Sequence, residues 1–260
     1  MRCKGGRSNP TYLIELGSNR GVVRKQPTGK LFPSAHAVDR ECRVMTALAG
    51  ADLPVPRTFR LCDEPAVIGT KFYVMEYVER RQLTETALPG CSRVGRRCIY
   101  THLGEALAAL HQVVPDAVGL GDFGRPGNYF ARQIHRWSRQ FRDSATEPID
   151  SMDRLMKWLP DHTPADVQPC IVHGDFRLGD LLLHPSEPRV VAVLDWKLST
   201  LGDGLEDLSY WLQEYHFLEP EGSYTLPGAD LDDLGVPSES ELMATYRTLT
   251  GLPPIENWLF

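Results

Sequence analysis

The first third of the chain alternates short apolar segments with turn-forming residues. Residues 11–27, TYLIELGSNRGVVRKQP, place β-rich pieces on either side of GSNRG, a pattern that predicts a β-hairpin. In residues 34–51, apolar side chains recur at helical spacing until Gly50 ends the pattern. Residues 53–62, LPVPRTFRLC, predict a proline-punctuated connection, and residues 71–79, KFYVMEYVE, predict a strand. Together these patterns favour a small α+β unit.

The rest of the chain carries longer helical patterns. RRCIYTHLGEALAALHQV, residues 96–113, places one apolar stripe along a helix. Two short apolar strands, residues 181–185 and 190–196, are joined by the turn sequence SEPR. Further amphipathic segments predict helices at residues 129–143, 151–162 and 205–217. We therefore predict an α+β fold with a β-rich lobe at residues 1–80 and a larger helical lobe at residues 81–260.

Composition narrows the classes of function. The 260 residues are 42% hydrophobic and 24% charged, which are ordinary values for a globular chain. A formal net charge of −6 argues against a nucleic-acid-binding protein, because phosphate contacts need clustered Lys and Arg. No apolar run approaches the ~18 residues of a membrane span. The six scattered cysteines form no CxxC pair, so we expect reduced thiols and an intracellular location, with cytoplasm, mitochondrion and peroxisome left open.

Candidate chemistry is concentrated in residues 171–203, IVHGDFRLGDLLLHPSEPRVVAVLDWKLSTLGD. Asp175 stands in a turn after a short β-rich piece, Asp180 follows five positions later, and Asp195 ends the strand VVAVLD. The neighbouring apolar runs should hold these acids at one polar end of a buried hairpin. Carboxylates that share a partly buried site repel one another unless a cation neutralises them. Mg²⁺ is the cation that one or two carboxylates bind together with substrate phosphates.

The spacing of these acids is that of a kinase catalytic loop, in which one Asp accepts a hydroxyl proton and later residues bind metal. HGDFRLGDLLLHP and VVAVLDWKLSTLGDGLEDLSY resemble the HGD-x4-N and D-W signatures of the aminoglycoside phosphotransferase and choline-kinase-like family. SNPTY, AHAVDRE and VIGTKFYVMEY extend the likeness along the chain, in particular to the N-terminal phosphotransferase domain of acyl-CoA dehydrogenase family members 10 and 11. The resemblance implies a two-lobed protein-kinase-like fold.

The same resemblance assigns roles to residues of the acidic segment and its neighbourhood. Asp175 would be the catalytic base, and Asp180 and Asp195 would bind Mg²⁺ at the ATP phosphates. His173 would fix the loop by hydrogen bonds. Asp207 would brace the loop through its backbone amides.

The β-rich lobe would bind the nucleotide. Either Arg24 or Lys25 would contact the α/β-phosphates, held there by Glu41 of the first helix. A strand points neighbouring side chains to opposite faces, so only one of the two cations can face the site. The family's usual sequence favours Arg24, whereas a lysine is the ordinary kinase residue. Glu76 and Val78 would offer backbone C=O and N–H groups to adenine.

Several positions depart from the family pattern. Asp180 replaces the usual Asn and adds a negative charge to the site. Lys197 stands where the family commonly has Glu, and we expect its side chain to point to solvent or to pair with an extra carboxylate such as Asp180. Gly204 replaces a Pro, which loosens a turn. The chain starts near GGRSN, residues 5–9, as the remainder of a phosphate loop, and it stops at ENWLF, so we expect both lobes to be truncated.

Two functions are compatible with these features. The first is an ATP- and Mg²⁺-dependent phosphotransferase that acts on a hydroxyl of a small molecule. The resemblance favours a hydroxylated acyl metabolite as acceptor and a downstream acyl-CoA dehydrogenase module in a longer chain. The alternative is a catalytically weak or inactive kinase-fold module that serves as a binding or interaction domain, which Asp180 and the missing ends motivate.

Overall fold

The fold, given by a computed structural model, combines a small antiparallel sheet with a larger helical region. The structure describes residues 9–28, 37–51, 53–125, 127–165, 167–217, 226–255 and 258. This mixed architecture confirms the α+β class that the hydrophobic pattern predicts.

The small sheet has four antiparallel strands in the order β1-β2-β4-β3. They are β1 (Thr11–Leu16), β2 (Asn19–Lys25), β3 (Thr58–Cys62) and β4 (Phe72–Glu76). The hairpin predicted for residues 11–27 is confirmed, with Thr11 opposite Arg24. The connection expected at residues 53–62 is wrong in its second half, because TFRLC forms the edge strand β3 on β4. Both prolines lie before Thr58, so they leave the donors of this strand intact.

Helix α1 (Val38–Leu48) packs against this sheet, as its apolar spacing predicts. Its apolar stripe is fully or almost fully buried and consists of Val38, Val44, Met45 and Leu48. Glu41 of the same helix is also buried, although a glutamate is costly to remove from water without a partner. The helix therefore carries one acid toward the interior of the protein, where it needs a cation.

The helical region contains the predicted helices and some that the pattern did not reveal. A short helix, α2 (Pro65–Ile68), lies between β3 and β4 of the small sheet. The helices of the helical region are α3 (Arg93–Gln112), α4 (Tyr129–Ser144), α5 (Asp150–Trp158), α6 (Gly204–Leu212), α7 (Leu231–Leu234) and α8 (Glu239–Thr250). Helix α8 begins with a capping box formed by Ser238 and Glu241. Within the described ranges, no helix has both the length and the apolar character needed to cross a bilayer.

Helix α3 is the centre of the helical region. Its buried stripe packs against α6, α8 and two short strands. Gly104 lies close enough to Trp211 of α6 that the indole packs directly over the helix backbone. Tyr100 of α3 stacks on the same indole with ring centroids 6.3 Å apart. These contacts fix α6, which carries residues of the candidate site, relative to α3.

A two-stranded sheet and a short hairpin rest on this helical core. Strand β5 (Cys170–Val172) pairs with β8 (Thr200–Gly202), and β6 (Leu181–Leu183) pairs with β7 (Val190–Val193). The pairing of β6 with β7 confirms the predicted acidic hairpin, whereas β8 was not predicted. The segments that join these strands carry the acids of residues 171–203.

The four-stranded sheet and the helical region meet beside these short strand pairs. The Val193 N–H of β7 donates to the Pro54 carbonyl at 2.7 Å. Arg40 of α1 donates to the backbone carbonyls of Phe123 and Ser199 at 2.9 and 3.2 Å. Hydrogen bonds to backbone carbonyls thus attach the four-stranded sheet to the region that carries the acids.

The buried stripe of α3 should dominate the stability of the helical region. Leu103→Ala removes a fully buried side chain, and we expect the free energy of unfolding to fall by about 2–5 kcal/mol. Val94→Ala on the same helix is the control, because Val94 is 72% exposed, and it should change stability by about 0.5 kcal/mol or less. Chemical denaturation of both variants tests this. A similar loss in both would contradict the assignment of α3 as the core helix.

Candidate active site

The loop after β5 is held by His173, whose ring is completely buried. The ring Nε2 lies 2.8 Å from the Leu194 carbonyl, and Nδ1 accepts the Asp175 N–H at 3.2 Å. Because a carbonyl can only accept, the proton sits on Nε2 and Nδ1 is the acceptor. His173 therefore joins the loop of Asp175 to the residue that precedes Asp195, and it supports the loop by hydrogen bonds.

Asp207 of α6 lies beneath this loop and is completely buried. One carboxylate oxygen accepts the His173 N–H at 2.6 Å, and the other accepts the Gly174 N–H at 2.7 Å. His111 adds a third contact, with Nε2 3.1 Å from Asp207. Burial alone would raise the pKa of Asp207, but the interactions with His111 and the backbone donors outweigh it and lower the pKa. The acid is therefore ionised and bound to the backbone of the loop.

His111 and Tyr246 extend this network, and sequence reasoning did not identify Tyr246. The His111 ring Nδ1 lies 2.6 Å from the Tyr246 hydroxyl, which comes from α8. His111 ends the apolar stripe of α3, so the chain of contacts joins α8, α3 and α6 to the loop. No short motif links residues so far apart in the sequence. Only the packing of α8 on α3 brings them together.

Asp175 stands at the surface of this supported loop, with 13% of its side chain exposed. Lys197 Nζ lies 3.4 Å from one carboxylate oxygen, and Arg177 Nε lies 3.7 Å from the other. Tyr210 of α6 is also a neighbour, and burial together with its hydrogen bond to Asp175 raises the pKa of Tyr210 to about 12. Gly174 has φ of 80°, and an added Cβ would lie 2.9 Å from the Leu198 carbonyl oxygen. This position therefore requires glycine to turn Asp175 outward.

Asp180 ends a 3₁₀ turn at Leu178–Asp180 and is 14% exposed at its side chain. Arg177 Nε donates to its carboxylate at 3.1 Å. Burial is the main cause that raises the pKa of Asp180, and repulsion by Asp195 and Asp175 adds to it against the attraction of Arg177. The Asp180 carbonyl accepts the Leu194 N–H at 2.9 Å. That bond places Asp180 and Asp195 at the same end of the β6–β7 hairpin.

Asp195 adopts a left-handed backbone conformation, with φ of 67° and ψ of 46°. Asp is one of the few residues other than glycine that tolerate this region. One carboxylate oxygen pairs with Arg24, and the other accepts from Lys197 Nζ at 2.9 Å. Burial would raise the pKa of Asp195, but the two cations outweigh it and lower the pKa.

Lys197 pairs with carboxylates, one of the two alternatives expected for it, but not with Asp180, the acid named as an example. Its ammonium lies instead between Asp195 and Asp175. The left-handed residue at 195 and the following 3₁₀ turn, Trp196–Leu198, fold the chain back so that residue 197 returns to the carboxylates. Burial would lower the pKa of Lys197, but hydrogen bonding and attraction by both acids raise it. The residue carries a positive charge at the centre of the site.

Arg24 is the strand residue that faces the site. It is buried, and its Nε and Nη2 lie 3.0 and 2.9 Å from the two carboxylate oxygens of Glu41. Asn9 also donates to Glu41, at 3.3 Å. Lys25 follows on the opposite face of β2 and is half-buried. The geometry therefore selects Arg24, of the two alternatives, as the cation that Glu41 holds.

Glu76 and Val78 lie at the end of β4. The Glu76 N–H donates to the Arg57 carbonyl at 2.8 Å, and its carboxylate accepts the Arg57 N–H at 3.3 Å. The Val78 carbonyl accepts from Arg80 at 3.5 Å, and the Val78 N–H donates to no acceptor in the described part of the chain. Residues 5–8 of the GGRSN segment lie outside the described residues.

The acids of the site fit a hard divalent cation in their chemistry. Carboxylate oxygens of Asp180 and Asp195 stand at one end of the hairpin and remain partly exposed. Across the described ranges, no three His, Cys, Asp or Glu side chains form a metal cage of their own. Mg²⁺ does not need such a cage, because it binds through one or two carboxylates with waters and substrate phosphates. The donor set is therefore suitable for magnesium held jointly with a phosphate ligand.

A family-level comparison matches residues 1–232 to the phosphotransferase enzyme family, APH. The chain is also similar to acyl-CoA dehydrogenase family member 10 of Mus musculus, with 43% identity over 258 residues that cover 98% of this chain and 24% of that protein. It is 40% identical over 260 residues to family member 11 of Rattus norvegicus, covering 99% of this chain and 33% of that protein. The chain thus spans about a quarter to a third of the length of these curated relatives.

Two solved structures show the same architecture. One is a protein of Ralstonia eutropha provisionally assigned as an aminoglycoside phosphotransferase, with a TM-score of 0.90, 44% identity and coverage of 99% of this chain and 76% of that one. The other is the streptomycin–ATP–APH(2'')-IIa ternary complex, with a TM-score of 0.63, 14% identity and coverage of 96% and 76%. At that lower identity the likeness concerns the fold alone. These neighbours confirm the predicted kinase-like fold.

The hydrogen bonds of Asp207 to the loop should make the stability of the protein depend on pH. Asp207→Asn leaves a backbone N–H without its carboxylate acceptor, and we expect the free energy of unfolding at neutral pH to fall by about 3 kcal/mol. Since the pKa of Asp207 is lowered from 3.8, its contribution is complete above that pH and is lost as the pH falls through the lowered value.

Urea denaturation at neutral pH and below pH 3.8 measures this difference. The gap between the wild type and Asp207→Asn should narrow on acidification. Asp153→Asn, at an exposed position of α5, is the control and should leave stability nearly unchanged at both pH values. If the free energies of unfolding of the wild type and Asp207→Asn differed by the same amount at both pH values, that result would contradict an ionised Asp207.

Proposed function

This chain belongs to the phosphotransferase enzyme family, and from that premise we propose that it transfers the terminal phosphoryl group of ATP to a hydroxyl of a small molecule, with Mg²⁺ as cofactor. One observation carries the proposal. Arg24, held by Glu41, reaches from the small sheet to Asp195, beside the loop that presents Asp175. Arg24, a cation suited to phosphates, thus lies in the same site as Asp175, a carboxylate suited to an acceptor hydroxyl.

Asp175 is the proposed catalytic base. Its carboxylate accepts a hydrogen bond from the acceptor hydroxyl, orients the oxygen toward the terminal phosphorus, and takes the proton as the new P–O bond forms. The bond between that phosphorus and the bridging oxygen breaks, and ADP leaves with the electron pair. The loop need only hold Asp175 still, because phosphoryl transfer is catalysed mainly by positioning and charge stabilisation. His173 and Asp207 supply that rigidity through the bonds described above.

Asp180 and Asp195 are the residues that would hold magnesium. When bound, Mg²⁺ neutralises the charge of the phosphates during transfer. Arg24 pairs with one carboxylate oxygen of Asp195 and keeps that oxygen in a fixed direction. The proposal assigns the role of the usual Asn to Asp180, whose carboxylate is also an oxygen donor.

Arg24 would contact the α- and β-phosphates in preference to Lys25. Its guanidinium is planar and presents several donors, which suits phosphate oxygens as well as carboxylates. Glu41 fixes its orientation through two contacts. The Val78 N–H and the neighbouring Glu76 carbonyl at the end of β4 would bind the adenine edge. The ternary complex of APH(2'')-IIa contains ATP on the same fold, which supports a nucleotide here.

A hydroxylated acyl metabolite is the proposed acceptor. Relatives that share 40–43% identity with this chain are named as acyl-CoA dehydrogenase family members and are much longer. A phosphotransferase unit and a dehydrogenase module in one chain suggest successive reactions on one acyl compound. The partner implied is therefore an acyl-CoA dehydrogenase module downstream in a longer chain.

A catalytically weak or inactive binding module is the second candidate. One observation favours it: every acid of the site is already paired with a cationic side chain. Arg177 holds Asp180, Lys197 holds Asp175, and both Lys197 and Arg24 hold Asp195. Because these side chains already balance the charges of the carboxylates, the site does not need a metal ion to be stable.

Substitution of the base separates binding from chemistry. Asp175→Asn should lower turnover by about 100-fold or more, because the amide cannot accept the hydroxyl proton. Nucleotide affinity should stay nearly unchanged, since the substitution leaves Arg24, Asp180 and Asp195 in place. Release of ADP with an acyl hydroxyl acceptor and calorimetric titration of an ATP analogue measure the two quantities. Full activity in Asp175→Asn would reject this residue as the base.

Thermal stability distinguishes the enzyme from the inactive module. We expect Mg²⁺ and ATP together to raise the melting temperature, since a ligand that binds only the folded state stabilises it by mass action. Either ligand alone should have a smaller effect. Absence of any shift would contradict the ATP-dependent function, and a shift without ADP release from any acceptor would favour the binding module.

A further inference from the structure

Lys197 is the one cation that touches both Asp175 and Asp195 among the residues the structure describes. Its ammonium lies 3.4 Å from Asp175 Oδ2 and 2.9 Å from Asp195 Oδ2. The proposed base and a proposed metal ligand therefore share a single positive charge. Nothing in the mechanism above uses that charge.

Both oxygens of Asp195 are engaged in this arrangement. Arg24 pairs with Oδ1, and Lys197 pairs with Oδ2. Each oxygen keeps a second lone pair, but a metal ion bound there would lie next to one of these cations and be repelled by it. Arg24 is fixed by Glu41 and almost completely buried, with 10% of its side chain exposed. Lys197 has a flexible stem and 24% exposure, so it is the cation that can leave.

We propose that Lys197 is a tethered counter-cation, which competes with a divalent cation for the position between Asp175 and Asp195 and turns outward when that ion binds. The inference rests on the proposed function, because it concerns the same magnesium site. An ammonium and a divalent cation repel each other strongly at ligand distance in a partly buried site, which disfavours their binding to the same oxygen. The affinity of the site for a divalent cation is therefore lower while the Lys197 ammonium lies between the two acids.

The arrangement has a structural consequence as well. Without a cation, Asp175 and Asp195 would face each other as uncompensated charges in a partly buried site. Lys197 removes that repulsion when no metal is present. It therefore stabilises the resting loop and, by the same contacts, raises the metal concentration at which the site becomes filled.

Titration with Mn²⁺ tests the inference on the full chain, with a non-hydrolysable ATP analogue present. Free Mn²⁺ is followed by electron paramagnetic resonance, so the readout does not depend on turnover. In Lys197→Met the Kd for Mn²⁺ should fall by about tenfold, because a unit charge next to the ion has been removed. Lys197→Arg keeps the charge and should stay close to the wild type. Lys71→Met is the matched control, since Lys71 forms a partly exposed pair with Asp39 at 3.9 Å away from the site.

A second readout is the melting temperature in EDTA. Lys197→Met should melt below the wild type in EDTA and recover when Mg²⁺ is added, because the metal then supplies the missing charge. Equal Mn²⁺ affinity in Lys197→Met and the wild type would overturn the inference while leaving the proposed function intact. No Mn²⁺ binding in either protein would overturn both the inference and the magnesium requirement.

Discussion

Arg24 is the residue on which the candidate site depends, because it lies between two acids from different parts of the chain. Glu41 comes from the helix on the small sheet, and Asp195 comes from the hairpin of the helical region. A buried carboxylate is stable only next to a cation or several hydrogen-bond donors. The two acids therefore bind one guanidinium, and that guanidinium fixes the position of the small sheet relative to the loop that carries Asp175. Removal of Arg24 would take this partner from both acids, whereas removal of either acid would leave Arg24 paired with the other.

The site divides its acids into two kinds. Asp207 is completely buried, and it is bound by backbone N–H groups and a histidine that cannot move independently of the fold. Asp175, Asp180 and Asp195 remain partly exposed, and they are paired with the side chains of Arg177, Lys197 and Arg24. The first arrangement gives a rigid support. The second gives carboxylates whose partners include two flexible side chains, as a site needs if substrate and metal are to enter and leave.

Much of this architecture follows from local sequence patterns. The stripes of α1 and α3, the first hairpin and the acidic hairpin all have the periodicity of the elements they form, and the spacing of Asp175, Asp180 and Asp195 predicted their grouping. Features that depend on distant contacts were not predictable. Strand β3 forms because β4 offers an edge, and Tyr246 reaches His111 only because α8 packs on α3. Lys197 pairs with Asp195 and Asp175 rather than Asp180, because its direction is set by a left-handed backbone at Asp195 that sequence alone does not reveal.

The central proposal is that one site holds a nucleotide against Arg24, a divalent cation against the hairpin acids, and an acceptor hydroxyl against Asp175. A crystal structure with Mn²⁺ and a non-hydrolysable ATP analogue tests it most directly, since manganese is located by its anomalous scattering. We predict manganese within about 2.2 Å of an Asp195 carboxylate oxygen, the distance expected for a hard cation on oxygen. The phosphates should contact Arg24, and Asp175 should face the terminal phosphate. Manganese or nucleotide bound away from Asp195 and Arg24 would contradict the account.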